Sequence, residues 1–307
     1  KWTRLDATHL LWRAQFGASA SEISRAHEEG LSKTVERLLV SQPESKEFKS
    51  VEPLLREAAY DTGDKGDLQA WWLYRMYYSA NPHLEKLTLF WHNHFATSIG
   101  KVRSVPHMAT QNDLLRREAL GSFRRMLHGM ATDVAMLIWL DSNANRKRHA
   151  NENFAREVME LFSLGEGNYT EDDIKQAARA FTGWHVRAEK FWFNTRQHDN
   201  GTKMLFGKTG NLDGSEIIDL CLEQKACPLF LAFKLLRAFV LDRPTEAQIT
   251  SVAVRIREHD FAMQPVMREL FSSKLFFSIE ARHAIIKSPL ELVLGACRAL
   301  EMRPNLQ

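Results

Sequence analysis

A polar helical stripe between Asn151 and Trp184 is the feature that most constrains this chain. The segment reads NENFAREVMELFSLGEGNYTEDDIKQAARAFTGW. At about 100° per residue, its first part predicts a helix with one apolar face and one polar face. The apolar face comprises Phe154, Val158, Leu161 and Phe162, and the polar face comprises Asn153, Arg156, Glu157 and Glu160. The apolar face predicts burial in a core, and the polar face is a candidate site.

A second helix is predicted directly after the first. Gly165 is the residue type expected just past a helix C-terminus. Thr170 and Asp173 have the spacing of a capping box, with Asp where Glu is usual. Small and apolar residues then recur at helical spacing up to Gly183. The sequence therefore predicts a helical hairpin with small residues at its contact.

The polar stripe has two interpretations. Glu, Arg and Asn on one helix face commonly form a solvated surface, where ion pairs contribute about 0.3–0.5 kcal/mol each. However, Arg156 precedes Glu160 at i+4, which is the less favourable order for stabilising a helix. A tertiary partner, a metal or a substrate would each explain that order. Both interpretations stay open at this point.

The composition is that of an ordinary soluble globular protein. The chain has 307 residues, of which 44% are hydrophobic and 26% charged. Its 41 Lys and Arg against 38 Asp and Glu give a net charge of +3, too small by itself to predict nucleic-acid binding. The basic clusters at 116–117, 124–125 and 146–148 are scattered, and we expect solvated surfaces there. We predict no nucleic-acid partner and no transmembrane segment.

Several familiar enzyme motifs are absent from the chain. There is no GxSxG, P-loop, dinucleotide fingerprint, HExxH or CxxC pair. The three cysteines, Cys221, Cys227 and Cys297, match neither a zinc pattern nor a disulfide-rich scaffold. We expect buried thiols, with a bridge between Cys221 and Cys227 as the alternative.

Helix signals dominate the whole chain. Capping pairs beginning at Ser19, Asp213 and Ser288 each predict a helix start, and Asp6 is expected to cap the first helix. Residues 67–79 are aromatic nearly all round, which predicts a central buried helix. We predict a mostly α, multi-helix globular fold that forms a single α-helical domain over residues 1–307.

One region predicts β-structure instead. Phe191 and Phe193 alternate with other residues before a turn that ends in Asn200-Gly201, and Met204 and Phe206 follow it. Because Asn-Gly supplies the positive φ that a tight turn needs, this pattern predicts a small β-hairpin insertion near 190–207.

Two histidines stand close together in the sequence Trp91-His92-Asn93-His94-Phe95. Neutral imidazoles are good ligands for transition metals. On a continuous helix, however, His92 and His94 point roughly 160–200° apart, so they could share an ion only if the helix ends or distorts there. The alternative is that one or both are hydrogen-bonded core histidines.

A third histidine follows the predicted hairpin. His185 comes just after the second helix, where a closed hairpin would bring it near Glu157 and Glu160. The two glutamates, spaced i and i+3, are able to bind an ion together or to act as a base and its orienting group. His92, His94 and His185 are therefore the candidate metal ligands.

Segments along nearly the whole chain resemble one bacterial family. They are HLLWRAQFGAS, LTLFWHNHFATS, QNDLLRREALGSFRRML, the hairpin segment of the first paragraph, FWF…HDNGTK and KSPLELV. The chain is similar to the proteins grouped as domain of unknown function 1800, a family without an established activity. Its recognisable segments add four candidate binding residues: Asn93, Asn151, Glu152 and Asn153. The Tyr169-Thr170-Glu171 turn belongs to the same segments.

The family resemblance also has implications for location and partners. It implies an exported protein of the periplasm or cell envelope, with a secreted sulfatase-like partner. It also implies a C-terminal segment with a Gly-Trp motif beyond Gln307, so that this chain would be a fragment.

Two hypotheses of function follow. In the first, Arg156, Glu157 and Glu160 line a polar pocket with one or more of the three histidines, bind a divalent metal and perform hydrolytic or redox chemistry. In the second, the protein is a non-catalytic envelope or secretion partner. Its aromatic residues, among them 8 Trp and 18 Phe, then make the contacts of an assembly, and the charged stripe is a buried network that fixes the hairpin.

Overall fold

Helix caps determine where most elements begin. The computed structural model describes residues 1–302 and contains seventeen α-helices within that range. The α-helices are α1 (Arg4–Ala14), α2 (Ala20–Glu29), α3 (Leu31–Leu39), α4 (Lys46–Thr62), α5 (Lys65–Tyr78), α6 (Pro82–Phe95), α7 (Ile99–Val102), α8 (Val105–Glu118), α9 (Phe123–Ala131), α10 (Val134–Trp139), α11 (Glu152–Glu157), α12 (Glu171–Ala180), α13 (Gly214–Glu223), α14 (Ala226–Phe239), α15 (Glu246–Glu258), α16 (Met263–Ser272) and α17 (Pro289–Ala299). The prediction of a mostly α-helical fold is confirmed.

The remaining regular elements are short. A π-helix, Val158–Ser163, continues α11, and two 3₁₀ helices span Ser142–Ala144 and Thr195–Gln197. The strands are β1 (Trp184–Arg187), β2 (Lys190–Phe193), β3 (Lys203–Leu205) and β4 (Lys208–Gly210). Within residues 1–302, no helix has the length and apolar character needed to cross a membrane.

Two compact units divide the chain. The first comprises Lys1–Phe90, Ala119–Gly121 and Phe233–Gln307, and the second comprises Trp91–Glu118 and Ser122–Ala232. The predicted single domain over 1–307 concerns independent folding, which this division by contacts does not test. Its last five residues, 303–307, lie outside the described residues.

The first unit packs helices around aromatic residues. Rings of Phe239, Phe271 and Phe276 lie in edge-to-face contact, with centroids 5.9 and 5.2 Å apart. Helix α5 buries Trp71 and Tyr74, which confirms the central helix predicted over 67–79. The capping boxes at Ser19 and Ser288 are present as predicted.

The N-cap of the first helix lies three residues before the predicted one. Its N-cap is Thr3, and Asp6 is the third helical residue of that capping box, where its carboxylate accepts hydrogen bonds from the Thr3 backbone N–H and hydroxyl. The prediction that Asp6 is the N-cap is therefore wrong, because Asp6 is the third helical residue and supports the cap from inside the first turn.

The second unit contains the helical hairpin that the sequence predicts. Helix α11, the π-helix and α12 pack together, and ring centroids of Phe154 and Phe181 lie 4.9 Å apart between them. Gly165 has a φ of +79° just after the π-helix, and Thr170 forms a capping box with Asp173. These features confirm the predicted positions of the helix end and the helix start.

The small β-insertion predicted near 190–207 is present, but its strands pair differently from the prediction. Strand β2 pairs with β1, and β3 pairs with β4, so the insertion contains two hairpins rather than one. The tight turns fall at Ala188-Glu189 and Phe206-Gly207, where both residues have positive φ. The loop at Asn200-Gly201 joins the two hairpins, so the prediction that it pairs 191–193 with 204–206 is wrong.

Gly183 fixes the connection between α12 and β1. Its φ is +84°, and a Cβ at this position would lie 2.6 Å from the Asn194 carbonyl oxygen. The Gly183 carbonyl accepts a hydrogen bond from the Asn194 N–H at 2.7 Å. Only glycine fits both the backbone conformation and this close approach.

Candidate functional site

A π-helical turn carries the centre of the predicted polar stripe. The Leu164 N–H donates to the Met159 carbonyl at 2.7 Å, and the Ser163 hydroxyl donates to the Val158 carbonyl at 2.6 Å. An i→i−5 bond encloses one residue more than an α-helical turn, so later side chains rotate away from their α-helical positions. Leu161, which the α-helical pattern assigns to the buried face, is consequently 42% exposed. Such turns are rare and recur at functional sites.

Arg156 connects the two helices of the hairpin. Its two terminal nitrogens donate to the carboxylate of Glu171 on α12 at 2.9 and 2.7 Å, and one of them also reaches Glu152 at 3.2 Å. Hydrogen bonds from Arg156 lower the pKa of Glu171. The guanidinium thus has the tertiary partner that its order before Glu160 suggested, and that partner is a carboxylate on the surface of the hairpin.

The two glutamates of the π-helical region have different environments. Glu160 accepts a hydrogen bond from the Tyr169 hydroxyl. Glu157 is half-buried and has no hydrogen bond or ion pair within residues 1–302. Burial raises the pKa of Glu157, the negative charge of Glu160 raises it further, and the positive charge of Arg156 opposes both. Glu157 is therefore the unpaired carboxylate of the stripe.

Buried Asn145 organises the ends of the hairpin. Its amide nitrogen donates to the Ala178 carbonyl at 3.0 Å, and its amide oxygen accepts from the Asn151 N–H at 2.9 Å. Its own carbonyl accepts from the Gly183 N–H at 3.1 Å. Sequence reasoning missed this residue, because nothing in the local pattern around 145 indicates contacts with residues up to forty positions away.

The predicted amide ligands have mainly structural contacts. Asn151 is the N-cap of α11, where its side chain accepts from the Asn153 N–H at 3.0 Å. The Asn153 amide donates to the Leu140 carbonyl at 3.3 Å. Asn93 is exposed on α6. The cap and the carbonyl contact explain Asn151 and Asn153 without a bound ligand.

The first two predicted metal ligands lie on an uninterrupted helix. Helix α6 extends to Phe95, beyond both histidines, so His92 and His94 point in different directions and cannot bind one ion together. His94 is buried, with its Nε2 at 3.0 Å from the Phe162 carbonyl. His92 is half-buried, and burial lowers its pKa.

His185 also has a backbone partner. Its Nε2 lies 3.2 Å from the Asn145 carbonyl, and burial lowers its pKa. Throughout residues 1–302, no group of three or more His, Cys, Asp and Glu side chains is placed to hold a metal ion. The predicted convergence of His92, His94 and His185 with Glu157 and Glu160 on one ion therefore gains no support from the geometry.

Strand β2 exposes three consecutive aromatic side chains. Phe191, Trp192 and Phe193 are 36%, 37% and 39% exposed. Because side chains alternate across a strand, Phe191 and Phe193 face one side of the hairpin and Trp192 faces the other. The Arg187 guanidinium lies over the Trp192 ring, 4.9 Å from its centroid. This strand is the largest run of adjacent exposed aromatic residues in the second unit.

Exposed basic residues lie on the first hairpin and on the loop that packs against it. The Lys147 N–H donates to the Gln197 carbonyl at 2.8 Å, and Asn143 hydrogen-bonds to Val186, so the loop 141–150 lies against the first hairpin. We call β2 and the exposed cations near it the basic-aromatic surface. It comprises Phe191, Trp192, Phe193, Arg146, Lys147, Arg148, Arg187, Lys190 and Arg196. The basic cluster 146–148 is far from Arg187, Lys190 and Arg196 in the sequence, and the fold places its loop against the first hairpin and the segment that follows it.

The protein is mostly helical. Arg156 and Glu171 link the two helices of its hairpin, and a β-insertion exposes three aromatic residues. The chain belongs to the family described as Protein of unknown function (DUF1800), whose model matches residues 9–307. This assignment confirms the resemblance seen in the sequence. Searches of curated proteins and of solved structures returned no match.

Proposed function

We propose that this protein is a non-catalytic binding protein that holds an acidic, extended segment of a partner protein on its basic-aromatic surface. The observation that carries the proposal is β2, where three adjacent aromatic residues are exposed among cations. Aromatic side chains are enriched at the energetic centres of protein interfaces.

The charge of the surface determines the charge of the partner. Exposed Arg187, Lys190 and Arg196 lie in or directly after the first hairpin, and three more exposed basic residues, 146–148, lie on the loop that contacts β1 and Gln197. Glu189 on the tight turn is the one acidic residue of the first hairpin, residues 184–193. Complementary charge increases the rate of encounter and excludes like-charged competitors. The partner segment is therefore acidic.

The open edge of β2 determines the conformation of the partner. On the far side of β1, the Val186 N–H donates to the Asn143 side chain at 2.7 Å, and the Asn143 amide donates back to the Val186 carbonyl at 3.3 Å. Within the described chain, β1 is the only strand that pairs with β2. An extended segment is able to add to the other edge of β2 through main-chain hydrogen bonds.

Location and partner identity rest on the family resemblance alone. That resemblance implies an exported protein of the periplasm or envelope. We propose that the acidic segment belongs to an exported protein, and a secreted sulfatase-like protein is the first partner to test.

The proposal is tested with a defined peptide. Fluorescence anisotropy measures binding of labelled Ac-Glu-Val-Glu-Val-Glu-Val-NH2 to the whole chain at low and high salt. We expect saturable binding that weakens with salt, because exposed charges are screened. The same peptide with alternate backbone nitrogens methylated should not bind, because it lacks the donors that strand addition requires.

Substitutions in and away from β2 test whether the peptide binds at this strand. Trp192→Ser should weaken binding by at least tenfold, and Lys190→Gln should reduce its salt dependence. Tyr60→Ser, at an exposed aromatic residue of α4, is the matched control and should not change it. Equal binding of the methylated peptide, or equal loss in Tyr60→Ser, would contradict strand addition. Equal binding of a Lys-Val peptide or of a thymidine dodecamer would contradict an acidic protein partner.

Glu157 supports a second candidate function, proton transfer at the polar stripe. An unpaired, half-buried carboxylate with a raised pKa is the type of group that serves as a general acid or base. Carbon-13 NMR titration of the Glu157 carboxyl group tests this candidate. A midpoint above that of an exposed glutamate such as Glu166 supports it, and an equal midpoint removes it.

A further inference from the structure

A cavity of about 280 Å³ in the first unit has four cationic side chains among its lining residues. It lies among α1, α6, α17 and the segment before α17, and we call it the cationic cavity. Its permanently charged wall residues are four cations and one carboxylate: Arg13, Lys86, Arg282, Lys287 and Glu291. None of these residues belongs to the polar stripe or to the basic-aromatic surface.

The one carboxylate of the wall is already engaged. One oxygen of Glu291 lies 3.0 Å from the Lys86 Nζ. The other accepts from the backbone N–H and the hydroxyl of Ser288, at 3.0 and 2.9 Å, in the capping box of α17. Arg282 is paired with Asp6. Glu291 is therefore paired with Lys86, and within residues 1–302 it forms no ion pair with Arg13 or Lys287.

Two cations of the wall have no carboxylate partner within residues 1–302. The Arg13 Nη2 donates to the Ala281 carbonyl at 2.7 Å, while its Nη1 is buried without a hydrogen-bond partner. The Lys287 Nζ lies 3.6 Å from the centroid of the Trp12 ring. A cation–π contact stabilises an ammonium group but leaves its charge unmatched.

The pKa values of Lys287 and Arg13 are consistent with an excess of positive charge in the cavity. Burial lowers the pKa of Lys287, the positive charge of Lys86 lowers it further, and the negative charge of Glu291 opposes both without cancelling them. Burial also lowers the pKa of Arg13, and Glu291 offsets only part of that shift. Partly buried charges without a counter-charge are unfavourable, so an anion that enters the cavity would be stabilised strongly.

We propose that the cationic cavity binds a small dianion through Arg13 and Lys287. Two unmatched positive charges are balanced by two negative ones, which a phosphate group carries at neutral pH. The volume equals roughly nine water molecules at about 30 Å³ each, enough for a phosphate group with a small ring or short chain attached. Trp12, Leu5 and Ile285 line the same cavity and provide apolar contacts for that attachment. The ligand class is therefore phosphate, either free or as the head of a small monoester.

Calorimetric titration of the whole chain tests the proposal. The probes are inorganic phosphate, phenyl phosphate and benzoate, at pH 7.5 and at constant ionic strength. We expect saturable binding of the phosphates and at least tenfold weaker binding of the monoanion benzoate. Tighter binding of phenyl phosphate identifies an ester head as the ligand, and equal binding identifies free phosphate. The proposal of a dianion site would be overturned if neither inorganic phosphate nor phenyl phosphate bound saturably, or if benzoate bound as tightly as the phosphates.

Charge-removing variants locate the site. Arg13→Met and Lys287→Met should each weaken phosphate binding at least tenfold, whereas Lys33→Met, at an exposed lysine of α3, should not change it. In phosphate-free buffer, Lys287→Met should unfold at the same temperature as the parent chain or higher, because it removes an unmatched charge. Phosphate should raise the melting temperature of the parent chain but not of this variant. Undiminished binding by both cavity variants, or a lower melting temperature of Lys287→Met in phosphate-free buffer, would contradict the proposal.

Discussion

The polar stripe and the cationic cavity satisfy their charges in opposite ways. In the stripe, residues adjacent in sequence find partners within the same hairpin: Arg156 pairs with Glu152 and Glu171, and Glu160 pairs with Tyr169. In the cavity, Glu291 pairs with Lys86, and neither Arg13 nor Lys287 has a carboxylate partner within residues 1–302. Most charged groups of the polar stripe have a partner of opposite charge or a hydrogen bond, whereas two cations of the cationic cavity have no carboxylate partner within residues 1–302.

This difference shows what a local sequence pattern is able to reveal. Polar residues close together on a helix are near enough to satisfy one another, so their density indicates a local network as readily as a site. Arg13 and Lys287 stand in unremarkable contexts and become unusual only where the fold brings them together. Unmatched charge is a property of tertiary structure, and it distinguishes the two regions better than the number of charges does.

Glu291→Gln should produce the largest effect, because Glu291 is the only carboxylate of the cavity wall within residues 1–302. Glutamine retains an oxygen for the α17 cap, so the variant isolates the charge. Burial alone would raise the pKa of Glu291, but the positive charge of Lys86 and bonds from Ser288 lower it. We expect a loss of about 3 kcal/mol in the free energy of unfolding, as when one member of a buried pair is removed, measured by urea denaturation.

A matched variant shows whether the loss in Glu291→Gln comes from the missing charge or from a weaker helix cap. Glu216 occupies the same capping-box position on α13, and Glu216→Gln should change stability by no more than about 0.5 kcal/mol. Phosphate should restore part of the loss in Glu291→Gln. Similar losses in the two variants would show that the cavity carboxylate acts only as a cap.

Asn145→Ala should have the next largest effect, because Asn145 joins the ends of the helical hairpin at Asn151 and Ala178. The change leaves the Ala178 carbonyl and the Asn151 N–H without their partner. Leaving buried polar groups unsatisfied should lower the free energy of unfolding by about 2 kcal/mol. Thermal and urea unfolding measure the loss, with exposed Asn93→Ala as the control. If the free energy of unfolding fell no further than in Asn93→Ala, water would be replacing Asn145 as the partner of the Ala178 carbonyl and the Asn151 N–H.

The sequence predicts those parts of the fold that local chemistry determines. Capping boxes at Ser19, Thr170 and Ser288 and the positive φ of Gly165 are found where the pattern places them. Each of these features depends on residues within about four positions of one another. The mostly α-helical class follows from many such signals together.

The parts that the sequence did not predict depend on distant contacts or on unusual backbone geometry. The turn at Ala188-Glu189 adopts positive φ with residues that do not favour it, so Asn200-Gly201 gave the stronger but misleading signal. The π-helical turn shifts Leu161 to the surface, and no residue type marks that shift. Asn145 makes its contacts far along the chain, as Arg13 does in the cavity.

Glu157→Gln should stabilise the protein slightly and only at higher pH. Because the folded pKa of Glu157 is raised above its ordinary value of 4.5, the unfolded chain releases this proton first. Stability therefore falls as pH rises from about 4.5 through the folded pKa, and stays lower above it. At pH 7 the variant should gain about 0.5 kcal/mol, the scale of a partly exposed substitution. Urea unfolding at pH 4 and pH 7 measures the difference, and an equal gain at both values would exclude an ionisation effect.

Arg156→Met should have the smallest effect on stability, because the pair with Glu171 is exposed. The side chains of Arg156 and Glu171 are 34% and 67% exposed, and exposed pairs are screened by salt. A double-mutant cycle with Glu171→Gln should give a coupling smaller than the effect of Glu157→Gln, and 0.5 M NaCl should remove it. The same variant should raise the pKa of Glu157 further, since Arg156 lowers it. A large, salt-resistant coupling would mean that the stripe is a buried network, which would remove its contrast with the cationic cavity.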